Sequence, residues 1–196
     1  LLVQEGVRVA LIDRARVASG DSSRTTAHLT YVTDERLHHL VSKFGVDAAR
    51  KFWEAGAVAI DTIETIVEQT GNDAGFVRVP GYLHTPIGEK PSRRDIETLR
   101  KDAELAQSFG FDAEFVQSIT YGGEPGVRFA QQAKFHPRRY LAGLLAAIQQ
   151  RGGRVFENTP LQSVEDDEPM LVRANEHRIR CKYLVIATHN PLMGKK

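Results

Sequence analysis

The chain has 196 residues, 41% of them hydrophobic and 26% charged, with a formal net charge of +1. That balance is ordinary for a soluble globular protein and makes no case for nucleic acid or an anionic membrane as partner. No apolar run approaches the roughly 18 residues of a membrane span, and the single Cys181 excludes an internal disulfide or a multi-cysteine metal site. A cytoplasmic setting and a small-molecule substrate are the expectation.

In chain order, Leu1 to Gly6 read as the last turn of a helix. Val7–Asp13 then reads as a buried strand ending in a carboxylate. Residues 14–30 are rich in Ser, Thr and Gly without an apolar period, which predicts a loop. A helix is expected over Thr33–Phe44, capped by Thr33 or Asp34 and stopped by Gly45. A second is expected over Asp47–Thr70, with Phe52, Ala55, Ala59, Ile63, Ile66 and Val67 on its apolar face. Phe76–Thr85 reads as a strand with a turn or bulge at Pro80-Gly81. Ser92–Phe109 reads as a Ser-capped helix ended by Gly110, and Ala113–Ile119 and Gly126–Lys134 as strands.

From Phe135 the texture of the first region returns. Pro137 suits a helix start, and Tyr140–Gln150 carries Leu141, Leu144, Leu145 and Ile148 on one face. Strands follow at Arg154–Glu157 and Leu161–Glu165, with a hairpin from Met170 to Arg180 around Asn175–His177. Tyr183–Ala187 is a continuous apolar run, as expected of a central parallel strand buried on both faces. These readings divide the chain into 1–74, an inserted α+β segment 75–134, and 135–196.

An acid at the end of the second strand of a dinucleotide-binding fold accepts hydrogen bonds from the ribose hydroxyls, with a glycine-rich phosphate loop about 20 residues before it. Asp13 stands in that position. The loop is not in the sequence, which predicts a fragment that by itself retains little of its nucleotide. The plainer reading of Asp13 is a turn cap, and that of the Ser/Thr loop is a solvated surface. His38 and His39 are expected on an exposed helix face, and His136 in a turn. His189 falls at a strand end, where ligands of open sheets collect. Cys181 reads as a small hydrophobe, and no residues have metal-ligand spacing.

Several segments together resemble the FAD-dependent oxidoreductases of the D-amino-acid oxidase superfamily. They are Val9–Asp13; Ser23-Arg24-Thr25-Thr26-Ala27-His28-Leu29; Val79-Pro80-Gly81-Tyr82-Leu83; Phe135-His136-Pro137 through Leu144; Gly152–Phe156; and Val185–Pro191. More narrowly, they look like the subgroup in which a Rieske iron–sulfur domain follows the flavin domain. The resemblance implies an α/β fold, an incomplete Rossmann-like FAD-binding domain with an inserted α+β substrate-domain segment. It gives Asp13 to the adenosine ribose and Arg14 to the flank of the adenine. Gly20, Thr25, Thr26 and Ala27 fall to the loop along the diphosphate, Leu161 to a backbone contact with adenine, and Ala187 and Thr188 to the strand end beside the ribityl chain. The cofactor implied is FAD, with a Rieske [2Fe-2S] cluster possible outside this chain. The reaction implied is oxidation of a small amine or hydroxyl-bearing substrate by hydride transfer to flavin, and no catalytic residue is assigned. An NAD(P)-dependent enzyme of similar topology and a non-catalytic module that has lost its cofactor are the alternatives.

Overall fold

The computed structural model describes residues 1–188. Its strands in chain order are β1 Ala10–Ile12, β2 His28–Leu29, β3 Val77–His84, β4 Ala113–Val116, β5 Gly126–Lys134, β6 Arg154–Phe156, β7 Leu161–Glu165, β8 Met170–Ala174 and β9 His177–Cys181. The helices are α1 Leu37–Phe44, α2 Val46–Thr70, α3 Arg93–Ser108 and α4 Pro137–Gln150. Chain contacts divide these into two units. Unit 1 is Leu1–Asp21 with the segment from Leu145 onward, and unit 2 is Ser22–Leu144. No helix of the described residues is long and apolar enough to cross a membrane.

Unit 2 is organised by an antiparallel sheet in which β5 lies between β2 and β3 and also pairs with β4. Its core is aromatic. Trp53 from α2 meets Phe129 of β5 at a ring distance of 5.7 Å, and Tyr31 meets Phe111 at 4.8 Å. Trp53 and Phe129 are both essentially inaccessible. Edge-to-face pairs of this kind add to the stabilisation that burial alone provides.

The α2 helix forms where its periodicity places it, but with a different buried face. Trp53 and Ile60 point inward, while Phe52 is 62% exposed and Ala55 and Ala59 face solvent. The close approach of Gly56 explains the phase: a Cβ there would meet the Cβ of Tyr31 at 2.9 Å. A side with a glycine between Trp53 and Ile60 can seat against the Tyr31 backbone.

Helix α1 begins at Leu37, later than Thr33 or Asp34 would have it. The Thr33 hydroxyl donates to the Glu35 carbonyl at 2.7 Å, a local bond that competes with helix formation. The cap comes instead from another helix. Asp102 of α3, fully buried, accepts from the His38 backbone N–H at 3.0 Å. The same carboxylate takes the Arg36 guanidinium at 2.6 Å and the His38 ring Nδ1 at 2.8 Å. His38 is therefore mostly buried rather than on an open helix face; His39 is exposed as expected, bonded to Glu35. A buried carboxylate is tolerated because three donors converge on it.

Helix α3 has the expected Ser92 cap, completed into a capping box by Asp95. These bonds to Ser92 hold the Asp95 carboxyl below its ordinary range. Helix α4 starts at Pro137, and its first turns lie against Asn72, whose side-chain amide donates to the Tyr140 carbonyl at 2.8 Å. The His136 ring Nδ1 accepts from Arg139 N–H at 3.3 Å, so His136 caps this helix.

Unit 1 holds a two-stranded parallel pair, β1 with β6, and an antiparallel meander β7-β8-β9. The β1 strand covers only Ala10–Ile12 of the expected Val7–Asp13 and is half-exposed. Leu1 to Gly6 form the expected helical turn, closed by the Val7 N–H on the Leu2 carbonyl. Tyr183–Ala187 is not a strand. It lacks regular structure, with Tyr183 75% and Val185 76% exposed. A central parallel strand needs a ladder on each side, and no strand among the described residues pairs with it.

Candidate functional site

The residues expected to hold a nucleotide fall in both units. In unit 1, β1 ends at Ile12, and the Asp13 N–H donates to the Phe156 carbonyl at 2.9 Å, extending the parallel pair. The Asp13 carbonyl accepts from Thr159 N–H at 2.7 Å. These bonds fix the backbone from both sides, so the half-buried side chain leaves at the carboxyl end of β1. Its Oδ1 accepts from Ala15 N–H at 2.8 Å. Asp13 does cap its own turn, and the capping bond occupies one carboxylate oxygen. A carboxylate offers about four acceptor positions, so the turn cap and a ribose contact are compatible. The acceptor chemistry of this carboxylate thus fits the ribose hydroxyls of a dinucleotide.

Arg14 and Gly20 are exposed on the segment after β1. Leu161 opens β7, half-buried and paired with Ala174 of β8. Ala187 and Thr188 lie in exposed, irregular chain rather than at a strand end. His189 is outside the described residues. Cys181 ends β9 as a half-buried free thiol.

In unit 2, the Ser/Thr loop contains a single 3-10 turn at Asp21–Ser23 and then departs from the expected loop by entering β2 at His28. The Thr25 hydroxyl accepts from Ala27 N–H at 3.2 Å, and Ala27 adopts a left-handed φ of +65°. That turn delivers Thr26 and His28 to one side of the sheet. Both line a cleft of about 400 Å³, together with Gly81, Tyr82, His84 and Lys134.

The cleft owes its shape to the irregularity at Pro80-Gly81. Val79 pairs with Gln132 and Gly81 with Phe129, so Pro80 faces two residues of β5, Ala130 and Gln131. Proline has no N–H to give to the ladder, which suits a bulge. A Cβ on Gly81 would come within 2.7 Å of Gln132 Cγ and 3.5 Å of His28 Nε2. Gly81 is needed here for close approach, with its φ unexceptional.

Two further features condition the cleft. His84 Nδ1 lies 2.6 Å from the Thr85 carbonyl, a bond only an N–H can make, so in the neutral ring Nε2 is the acceptor. Gln132 is fully buried, and its amide lies beside the buried Tyr31 hydroxyl without a well-formed hydrogen bond between them. Burial pushes the Tyr31 phenol up to about 12, with the neighbouring Gln132 amide pulling the other way.

The sequence reading missed His84, Lys134 and Tyr82 as cleft residues. Their signal was the strand pairing, which composition does not reveal. It missed the Asp102 cluster too, although an aspartate among Leu99, Ala103 and Ala106 on the apolar side of α3 was legible as a buried charge. No group of described residues could hold a metal ion.

The described residues thus place a strand-end acid beside a parallel pair in one unit and a bulged antiparallel sheet in the other. Residues 1–193 match the family model of the FAD dependent oxidoreductases, the DAO family, and the chain belongs to that family. Among its relatives is a Bacillus subtilis (strain 168) protein named as a Rieske 2Fe-2S iron-sulfur protein. It is 29% identical over 193 residues, covering 97% of this chain and 37% of that protein. The gamma-glutamylputrescine oxidoreductase of Escherichia coli (strain K12) is 22% identical, covering 100% of this chain and 46% of that enzyme. The chain thus spans less than half the length of these relatives. Glycine oxidase from Geobacillus kaustophilus has a similar fold, with a TM-score of 0.69 at 15% identity over 95% of this chain and 50% of that one. The mixed α/β fold expected from the sequence is the fold of this family.

Proposed function

We propose that this chain is part of an FAD-dependent enzyme that oxidises a small amine or hydroxyl-bearing substrate. The observation that carries the reading is Asp13, fixed at the carboxyl end of a parallel strand in a chain of the FAD dependent oxidoreductase family. FAD, when bound, supplies the two-electron acceptor to which a hydride leaves the substrate carbon. The chain's own residues bind and orient. Asp13 holds the adenosine ribose and Arg14 flanks the adenine, with Leu161 offering backbone contact. Gly20, Thr25, Thr26 and Ala27 follow the diphosphate, and Ala187 and Thr188 the ribityl chain. The cleft at His28, Gly81 and Tyr82 receives the substrate, and the lone cysteine accords with a cytoplasmic setting.

The test is anaerobic. The protein that carries these 196 residues is titrated with panels of small amines, amino acids and hydroxy acids while the flavin absorbance is followed. Bleaching of a bound flavin band by one class supports the reading. A protein without bound flavin that reduces NAD(P) instead contradicts it.

The name of the Bacillus relative favours one extension: electrons leave the reduced flavin for a Rieske cluster. Such a cluster needs two Cys and two His, which this chain's one cysteine does not provide. Electron paramagnetic resonance of the substrate-reduced protein checks this; a reduced-cluster signal is expected, and reduced flavin alone would defeat it.

A further inference from the structure

The cleft in unit 2 holds a lysine, Lys134, that the redox reading leaves unused. His28 and Lys134 are directly opposite each other in the antiparallel β2–β5 ladder. Residues so paired project from the same face with Cβ atoms about 4.5–5.5 Å apart. Both line the cleft, as does Thr26, and none of the described residues lining it is acidic. Other cations, Arg36, Lys43, Arg78, Arg93, Arg139 and Arg173, each pair with a carboxylate. Lys134 has no such pairing among the described residues. Two basic residues placed opposite each other without an acid weaken a ladder, an arrangement that suits binding an anion.

The surroundings keep this pair accessible. Gly81 carries no side chain to cover it, and the position its Cβ would take lies 3.5 Å from His28 Nε2. Thr26 reaches the same cleft through the left-handed turn at Ala27. A fixed ammonium, an imidazole able to donate and a hydroxyl form a donor set for the oxygens of a carboxylate or phosphate.

We propose that Lys134, His28 and Thr26 form an oxyanion subsite of the cleft. The inference rests on the reading of this cleft as the substrate-binding region. Two sources can supply the oxyanion, the carboxylate of a substrate or the diphosphate of the cofactor, and the experiment separates them.

The full chain, labelled for nuclear magnetic resonance, is titrated with propionate, with inorganic pyrophosphate and with neutral propionamide at constant ionic strength. The His28 ring and Lys134 side-chain resonances are followed. Saturable shifts with an anion and none with propionamide are expected. Lys134→Met weakens the anion about tenfold, the loss of one charge-assisted bond, whereas Lys134→Arg keeps it. Propionate binding at least as well as pyrophosphate identifies a substrate carboxylate, and pyrophosphate binding much better identifies the cofactor. Absence of saturable shifts with either anion, or unchanged anion binding in Lys134→Met with the wild-type spectrum otherwise preserved, overturns the subsite. Because the readout needs no flavin, it is independent of the redox titration: a flavoprotein without the subsite, and a subsite in a protein that takes no flavin, give different results.

Discussion

The two units contain similar apolar sequence and use it differently. In unit 2 the residues Tyr31, Trp53, Phe111 and Phe129 converge from a loop, a helix and a sheet, and each finds partners in the others. In unit 1 the run Tyr183–Ile186 is at least as hydrophobic, yet three of its four side chains are exposed. Hydrophobicity states what a segment would gain by burial; burial itself requires a surface to pack on and, for a strand, a backbone to pair with. Unit 2 brings its own partners to β5 on both edges. The described part of unit 1 offers nothing to the 183–186 run, so the pattern that reads as a central strand has no ladder to join.

The largest effect that would break this contrast is in the aromatic core. Trp53→Ala should cost about 4 kcal/mol, in the range for emptying a buried aromatic site. Phe156→Ala, on half-exposed β6, should cost no more than about 1 kcal/mol. Urea denaturation of the two variants measures both; comparable losses would show that the units are equally packed. Hydrogen exchange gives the same comparison residue by residue, with slow exchange expected in β5 and fast exchange across 183–186.

Next in size is Asp102→Ala. It leaves the Arg36 guanidinium, the His38 ring and the His38 backbone N–H without their common acceptor. Stranding a buried cation of this kind costs about 3 kcal/mol. Helix α1 should fray first, because its first turn is capped from α3. A loss below about 1 kcal/mol in the same denaturation assay would mean that water replaces the carboxylate.

Gly56→Ala comes third, at about 2 kcal/mol, because its Cβ would press on the backbone and Cβ of Tyr31, which cannot swing aside. Gly45→Ala differs in kind: nothing crowds that position, and its cost would arise from a φ of +86°.

The last effect is a titration that is absent at neutral pH. The Tyr31 phenol, raised by burial from about 10 to about 12, stays protonated in the fold where the unfolded chain has already lost its proton. The folded state then binds more protons, so stability falls as pH rises from about 10 to about 12. Ultraviolet difference spectra should show Tyr31 and Tyr140, both raised by burial, titrating later than an exposed tyrosine, and Tyr31→Phe should remove one of the two. Early titration of all tyrosines would mean an open core.

How much of this was legible beforehand follows the same physics. Local signals held. The Ser92 cap, Gly45 as the stop of α1, Pro137 at the start of α4 and the bulge at Pro80-Gly81 depend on neighbours in sequence, and each stands where it was expected. Quantities set by distant partners did not. The buried face of α2 depends on Tyr31 meeting Gly56, the start of α1 on Asp102, the environment of His38 on the same carboxylate, and the fate of 183–187 on a ladder that the described residues do not offer. The place of Asp13 at a strand end was legible because strand and acid are adjacent in sequence. His84 and Lys134 were not, because only the β2–β5 and β3–β5 registers bring them to the cleft.

The most direct test of the central claim concerns Asp13. In the protein that carries these residues, FAD and FMN affinities are measured by titration of flavin fluorescence for wild type and Asp13→Ala. Losing charge-assisted bonds to the ribose, each worth about 1.5–3 kcal/mol before solvent compensation, should weaken FAD at least about tenfold. FMN, which has no adenosine, should bind each protein alike. Equal FAD affinity in both proteins would contradict the account and leave Asp13 as the cap of its own turn.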